Sequence, residues 1–243
     1  MSDRNPSLFA AQHSLGDDPI PDVVVRFAAG GICDLVWRYE LGGLTFRAGD
    51  RFIKWNPPGI GIDLHRERLR LEWLEGRHPA PRVVTWGHDE LGQWLVTTAL
   101  PGEHAVGDTW RARRVEAVQA IATGLRAMHA IPTDDFPADW TSQSWVSRTP
   151  GSLGPRPDLD DPVLVHGDAC APNTLISTAG EWTGNVDFGD LAVGDRWADL
   201  AIAAMSLDWN FGEGHQAELF AAYGIEPDPA RIHYYRELWH LES

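Results

Sequence analysis

The chain has 243 residues, 43% of them hydrophobic and 12 of them tryptophan, which is enough for one or two domains with a sizeable core. Its net charge of −15 argues against a nucleic acid or an anionic membrane as partner. No apolar run approaches the roughly 20 residues of a membrane-spanning helix, and the first residues lack the pattern of a secretory signal. The two cysteines, Cys33 and Cys170, lie far apart in sequence, so we expect a reduced, cytoplasmic protein.

The first part of the chain reads as short strands joined by glycine turns, which is typical of an antiparallel sheet. Strands are predicted at 22–28, 35–41, 44–47 and 51–55, and further strands from residue 79 and over 93–99. Gly30-Gly31 is expected to form the hairpin after the first strand, and a helix is expected over 63–76. Leu100-Pro101-Gly102 breaks the last strand. We therefore place a hinge near 97–102 and predict two domains, 1–98 and 99–243.

The second part of the chain is predicted to be mainly helical. Apolar residues recur at helical spacing over 109–130, which indicates one long helix. Shorter helices are predicted at 196–207, 216–223 and 232–241. Residues 132–162 are rich in Pro, Asp, Ser and Trp and are predicted to be a loop or a short helical insertion.

The stretch 163–190 carries the polar groups of greatest chemical interest. Two predicted strands flank His166-Gly167-Asp168 and Asn173, and Asp187-Phe188-Gly189 follows the next turn. Strand ends are where rigid scaffolds present catalytic groups. An Asp, an Asn five residues later and a second Asp opening a D-F-G triplet are typical of phosphoryl transfer, in which the last two bind Mg²⁺ through oxygen.

These motifs, followed by Gly194-Asp195 and Asp199-Leu200-Ala201, resemble the aminoglycoside phosphotransferase family, and most closely its 3'-phosphotransferases. The resemblance implies an α+β, bilobal protein-kinase-like fold, with a small antiparallel-sheet N-lobe and a mainly helical C-lobe. It implies transfer of the γ-phosphoryl group of ATP or GTP to an aminoglycoside hydroxyl, which confers antibiotic resistance. The 3'-hydroxyl is the expected acceptor.

Lys54 is the only lysine among the 20 basic residues, the other 19 being arginine. It is expected on the third strand of the sheet, where it would reach the α- and β-phosphates. Arg is not an equivalent replacement for such a point charge. Glu67, on the following predicted helix, is the expected partner that holds Lys54.

The resemblance assigns the remaining roles. Asp168 is expected to be the catalytic base and to deprotonate the acceptor hydroxyl, while Asn173 and Asp187 would hold Mg²⁺. The expected nucleotide contacts are Gly30 and Gly31 over the phosphates, Thr97 behind the adenine, and backbone groups of Thr98 and Leu100 at the base edge. Asp199 is expected to be a buried support of the catalytic loop, and His129 a structural residue at a helix end.

The acidic residues are concentrated in the second half. Residues 105–243 carry 21 acidic and 9 basic side chains, a net charge of −12, which would attract a polycationic small molecule. Asp190 and Asp208 are the predicted contacts of substrate amines. At the C-terminus, Trp239 and His240 stand where the family has acids. The acceptor could therefore be another cationic or hydroxylated small molecule.

Two other classes of function remain open. His166 and Asp168 could belong to a two-His, one-carboxylate iron site of an oxygenase, with His215, His233 or His240 as the third ligand. That interpretation leaves Asn173 and Asp187 without a role. The other alternative is a kinase-like binding protein without catalytic activity. The complete set of kinase residues argues against it, namely Lys54, Asp168, Asn173 and Asp187.

Overall fold

The computed structural model describes residues 20–28, 31–39, 41–159 and 161–242. They divide into two compact units. The sheet unit contains the described residues up to Glu75 together with Ala80–Leu100, and the helical unit contains Gly76–Pro79 and the described residues from Pro101 onward. The predicted α+β class is confirmed.

The sheet unit is built on one five-stranded antiparallel sheet in the order β1-β2-β3-β5-β4. Its elements are α1 (Asp22–Ala28), β1 (Asp34–Arg38), β2 (Leu44–Ala48), β3 (Arg51–Asn56), α2 (Leu64–Leu74), β4 (Val83–Asp89) and β5 (Gly92–Thr98). Lys54 pairs with Thr45 of β2 and Leu95 of β5, so it stands in the central strand. Asp63 caps α2 by accepting the His65 amide at 2.9 Å.

The strand predicted at 22–28 was wrong, because this segment is helix α1. Its valines suggested a strand, but Asp22 lies in the first turn, where a negative charge favours a helix. Val23 and Val24 are buried in the same cluster as Phe46 and Ile53 of the sheet. Packing against the sheet therefore outweighs the modest β preference of valine.

The predicted hairpin at Gly30-Gly31 was also wrong as a connection between strands. The Gly31 amide donates to the Ala28 carbonyl at 2.9 Å, so this glycine ends a helix and leads into β1. Gly30 lies outside the described residues.

In its described residues, the helical unit combines six α-helices with a two-stranded and a three-stranded sheet. Its strands are β6 (Glu103–His104), β7 (Val163–Val165), β8 (Thr174–Ile176), β9 (Trp182–Asn185) and β10 (Ala192–Gly194), and its described helices are α3 (Asp108–Ala112), α4 (Arg114–His129), α5 (Ala138–Gln143), α6 (Trp197–Phe211), α7 (Gln216–Tyr223) and α8 (Pro229–Glu242). The core lies around α6, which is buried from Trp197 to Leu207.

The single helix predicted over 109–130 is two helices. Arg113, with φ −114° and ψ 44°, separates α3 from α4. Neither Gly nor Pro occurs between Trp110 and Val115, so the sequence carried no breaker signal at this point. The 132–162 segment contains α5 and two short 3₁₀ turns, in agreement with the predicted short helical insertion.

Within the described ranges, no helix has both the length and the apolar character needed to cross a membrane. Both cysteines are free, as expected.

Candidate active site

The catalytic loop, defined here as residues 166–173, begins where β7 ends and is held by α6. Asp199 is fully buried, and its two oxygens accept the amides of His166 at 2.7 Å and Gly167 at 3.0 Å. His129 Nε2 lies 3.0 Å from Asp199 Oδ2, and Tyr223 Oη is 2.8 Å from the other ring nitrogen. These contacts are those expected of a supporting Asp and a structural His.

Gly167 has a left-handed backbone with φ +80°, and a Cβ at this position would lie 2.3 Å from the Asp190 carbonyl oxygen. Only glycine combines this conformation with such a close approach. The Gly167 carbonyl also accepts the Trp145 indole N–H at 2.5 Å. The loop is therefore packed directly against the backbone that follows the D-F-G triplet.

Asp168 is oriented by Asn173. The side-chain nitrogen of Asn173, Nδ2, donates to Asp168 Oδ2 at 3.0 Å and to the Asp168 carbonyl at 2.9 Å. Oδ1 is buried and accepts no hydrogen bond from the described part of the chain. Burial raises the pKa of this carboxyl, and the nearby charge of Asp187 raises it further. The arrangement leaves one carboxylate oxygen ready to accept a proton from an incoming hydroxyl group.

Cys170 lies beside this carboxylate. Burial raises the pKa of its thiol well above the usual value, and the charge of Asp168 adds to the effect. The group is therefore held as a thiol, and its interaction with Asp168 partly offsets the rise in the pKa of that carboxyl.

His166 is used inside the loop. Its Nε2 is 3.0 Å from the Val186 carbonyl, which can only accept, so Nε2 carries the proton. Nδ1 then accepts the Asp168 amide at 3.2 Å. With both ring nitrogens engaged, His166 is not arranged as an iron ligand, so the oxygenase interpretation is not supported. Among the described residues, no cluster of three or more His, Cys, Asp or Glu side chains is arranged to hold a metal ion.

Asp187 has φ +71° and is the only non-glycine residue in the described ranges with a positive φ. Such conformations persist where the surroundings impose them, and they cluster at functional sites. The next residue toward the N-terminus, Val186, donates its amide to the Asn173 carbonyl at 3.0 Å, which joins the two predicted Mg²⁺ ligands. Because the Asn173 nitrogen is engaged, its amide oxygen is the atom suited to a cation. One amide and one carboxylate oxygen fit Mg²⁺, which binds few protein ligands.

Asn185 connects this region to residues that the sequence did not single out. Its nitrogen donates to the Asn173 carbonyl at 3.3 Å and to Thr174 Oγ1 at 3.2 Å. Its oxygen accepts Trp182 Nε1 at 3.0 Å and His78 Nε2 at 3.1 Å. Burial lowers the pKa of His78 to about 4, so this histidine is neutral at pH 7.

In the sheet unit, Lys54 Nζ lies 2.7 and 2.8 Å from the two carboxylate oxygens of Glu67. The Lys54 side chain is 26% exposed and that of Glu67 is 7% exposed. The predicted partner is thus in contact with the only lysine of the chain. The pair holds the ammonium group at the centre of the sheet, while part of it remains accessible to solvent.

The residues expected at the base edge lie at the end of β5. Thr97 is buried at 9% exposure. The Thr98 amide donates to the Arg82 carbonyl at 2.9 Å, so the Thr98 carbonyl is the group suited to a nucleotide base. Leu100 is half-buried.

The two predicted substrate acids are placed differently. Asp190 lies against Gly167 of the catalytic loop, and its carbonyl accepts Ser144 Oγ at 2.9 Å. Asp208 follows Ser206 by two residues, a rotation of roughly 200° around a helix. Its carboxylate accepts a hydrogen bond from Gln216 of α7. Asp208 is therefore directed toward α7, whereas Ser206 contacts the catalytic loop.

Ser206 and Asn210 were missed by the sequence analysis. Ser206 is 1% exposed, and its Oγ accepts the Ala171 amide at 2.9 Å. Asn210 donates to Ser206 Oγ at 3.2 Å. The one available signal was spacing: Ser206 follows Asp199 by seven residues and Asn210 follows Ser206 by four, and residues at such spacings share a helix face.

Comparisons with known proteins agree with this geometry. A family model described as the phosphotransferase enzyme family matches residues 38–151 and 150–235. An aminoglycoside 3'-phosphotransferase of Streptomyces fradiae is 32% identical over 75% of this chain and 81% of its own length. A streptomycin 3''-kinase of Streptomyces griseus is 32% identical over 92% of this chain and 98% of its own.

Solved structures show the same fold. An aminoglycoside 3'-phosphotransferase of type VIII superposes with a TM-score of 0.71 at 29% identity, covering 89% of this chain and 97% of its own. The aminoglycoside phosphotransferase APH(3'')-Id of Streptomyces rimosus gives a TM-score of 0.69 at 25% identity, covering 90% of this chain and 96% of its own. The predicted kinase-like fold is confirmed.

Proposed function

This chain belongs to the phosphotransferase enzyme family, among its aminoglycoside phosphotransferases, and from that premise we propose that it transfers the γ-phosphoryl group of ATP or GTP to an aminoglycoside hydroxyl. The 3'-hydroxyl is the proposed acceptor, and the 3''-hydroxyl is the specific alternative, since relatives of both kinds are 32% identical. The expected consequence is antibiotic resistance.

The carrying observation is the Asp168 carboxylate, which has one oxygen bound to Asn173 and the other buried without a hydrogen bond from the described residues. A buried acceptor without a partner is costly, and an incoming hydroxyl donor would satisfy it. In the proposed step, the acceptor oxygen bonds to the γ-phosphorus while the bond to the bridging β–γ oxygen breaks. Asp168 takes the hydroxyl proton. The raised pKa of this carboxyl improves it as a base.

Asn173 and Asp187 are the proposed holders of Mg²⁺, which when bound would offset the negative charge of the phosphates. Lys54 is the proposed phosphate contact in the sheet unit, and Glu67 keeps its ammonium group in place. Gly30, Gly31, Thr98 and Leu100 complete the proposed nucleotide contacts. On this assignment, 1–98 is the nucleotide-binding lobe and 99–243 the catalytic and substrate-binding lobe.

We propose that Asp190 contacts an ammonium group of the acceptor, because its backbone is packed against the loop that carries Asp168. Asp208 remains a proposed substrate contact, although it would first have to release Gln216. The alternative acceptor, another cationic or hydroxylated small molecule, is kept because Trp239 and His240 occupy positions expected to be acidic.

The test is a coupled turnover screen with MgATP or MgGTP against aminoglycosides that have or lack the 3'- and 3''-hydroxyls, with non-aminoglycoside alcohols as a second panel. Phosphate at the 3' position, located by NMR of the product, is the expected result. Phosphate at the 3'' position would show that the 3''-hydroxyl, and not the 3'-hydroxyl, is the acceptor. Turnover confined to the second panel would show that the substrate is not an aminoglycoside. Absence of turnover with every acceptor would reject the function, and a crystal complex with both acids pointing away from the drug would reject Asp190 and Asp208.

A further inference from the structure

Helix α6 presents three polar residues on the face that meets the catalytic loop. Asp199, Ser206 and Asn210 are separated by seven and four residues, which places them on one side of a helix. At 1.5 Å per residue, Asp199 and Ser206 lie about 10 Å apart along the axis. This separation allows the two side chains to contact different ends of the same loop.

The two contacts bracket Asp168. Asp199 accepts the amides of residues 166 and 167, immediately before the aspartate. Ser206 Oγ accepts the amide of Ala171, three residues after it. The backbone on both sides of Asp168 is thus hydrogen-bonded to side chains of α6. Its own side chain is then oriented by Asn173.

The Ser206 hydroxyl is fully used. Its oxygen accepts two donors, Ala171 N at 2.9 Å and Asn210 Nδ2 at 3.2 Å. Asn210 also donates to the Ser206 carbonyl at 2.8 Å. A hydroxyl that accepts twice directs its own hydrogen elsewhere, and the Cys170 sulfur, which interacts with both Ser206 and Asp168, lies beside it.

The hydrogen bonding of Ser206 differs from that of an ordinary hydroxyl residue inside a helix. Such residues usually bond to a carbonyl one turn earlier, as Thr123 does with Gln119 at 2.8 Å. Ser206 instead receives an amide from a residue 35 positions away. Loss of its oxygen would leave the buried Ala171 amide without this acceptor, and a buried donor without a partner is destabilising.

We propose that Ser206, held by Asn210, is a positioning residue that fixes the second half of the catalytic loop and thereby the aim of the Asp168 carboxylate. The proposal rests on the assignment of Asp168 as the base. Ser206 itself touches neither substrate nor nucleotide in this account.

The test compares Ser206→Ala, Ser206→Thr and Asn210→Ala with Ser147→Ala as the matched control. Ser147 has a hydroxyl that is hydrogen-bonded to the backbone outside the catalytic loop, since it donates to the Ser144 carbonyl at 3.0 Å. Ser206→Ala is expected to lower kcat about 10- to 100-fold, because small displacements of a catalytic group are costly. KM for both substrates should stay within about threefold, since neither substrate meets this serine. Ser206→Thr, which keeps the acceptor, should exceed Ser206→Ala in kcat.

Amide hydrogen exchange followed by NMR gives a second readout, independent of any acceptor. Ala171 should exchange faster in Ser206→Ala and Asn210→Ala, while amides of α4 stay protected. Wild-type kcat in Ser206→Ala, equal losses in the Ala and Thr variants, or unchanged Ala171 exchange would each overturn the proposal. If Ser206→Ala does not fold, the half-buried Asn210→Ala decides by the same two measurements. An inactive wild-type protein would reject the proposed function alone, since the exchange data would still decide the anchoring.

Discussion

The catalytic loop and the Lys54–Glu67 pair are both charged, but the protein holds them in different ways. The loop is fixed through its backbone, by Asp199 on one side of Asp168 and Ser206 on the other. Lys54 is fixed through its side chain, by contacts that include the ion pair with Glu67, and it remains 26% exposed. The position of Asp168, the proposed base, therefore depends on residues distant in sequence. The lysine depends more on its immediate charge environment, which a phosphate group could alter.

The largest expected effect comes from removing the proposed base. Asp168→Ala should lower turnover by at least ~100-fold, the usual scale of acid–base assistance, with nucleotide affinity nearly unchanged. Single-turnover rates and nucleotide titration measure the two quantities. Asp161→Ala, at a highly exposed aspartate of the same unit, is the control. Unchanged turnover in Asp168→Ala would show that Asp168 is not the base.

Replacing the lysine should act on the nucleotide. Lys54→Met is expected to lower kcat/KM for the nucleotide about 10-fold or more, because a charge-assisted contact to phosphate is lost. Lys54→Arg should not restore it, since a planar guanidinium is no substitute for the ammonium group. Arg51→Met changes an exposed cation on the same strand and should behave as wild type. Wild-type kinetics in Lys54→Met would contradict the assignment.

His78, a buried residue that contacts Asn185, tests whether a buried neutral histidine makes the free energy of unfolding depend on pH. Its pKa is about 4 in the folded protein, below the ordinary 6.5, so between these values the unfolded chain binds more protons. The contribution of neutral His78 to the free energy of unfolding is complete above pH 6.5 and is lost as pH falls toward 4. Denaturant unfolding should show a loss on the order of 1 kcal/mol from this group between pH 7 and 5.5.

The matched variants for this pH dependence are His78→Gln and His233→Gln. His78→Gln should flatten the loss by that amount, since it has no group to titrate. His233 is an exposed histidine of the same unit, so its replacement controls for the loss of an imidazole. Equal pH slopes in wild type and His78→Gln would show that burial of His78 is not linked to folding.

The smallest effect is expected at Asp190, the proposed substrate contact. Asp190→Asn should raise KM for a cationic acceptor about 2- to 5-fold, the scale of a partly exposed ion pair, and leave kcat unchanged. Uncharged acceptors provide the internal control because they have no ammonium group to lose. A fall in kcat instead of a rise in KM would place Asp190 with the catalytic loop.

The sequence was most informative where chemistry requires particular residue types at short spacing. Asp168, Asn173 and Asp187 fall within 20 residues, and the solitary Lys54 is conspicuous by composition. The sequence was misleading at 22–28, where tertiary packing decides between helix and strand. It did not reveal Ser206, whose hydrogen bond to Ala171 spans 35 residues and belongs to no local pattern. Hydrogen bonds between a side chain and a distant backbone group produce no periodic pattern in the sequence.

The contact between Gly167 and the backbone of Asp190 bears on how this enzyme could diversify. The main chain at 190 lies so close to the loop that no Cβ fits at 167, yet the side chain at 190 is only half-buried. If Asp190 contacts the acceptor as proposed, laboratory evolution could exchange the residue at 190 to alter acceptor preference while the backbone of the loop keeps its position. Position 167, by contrast, should tolerate no replacement in any selected lineage.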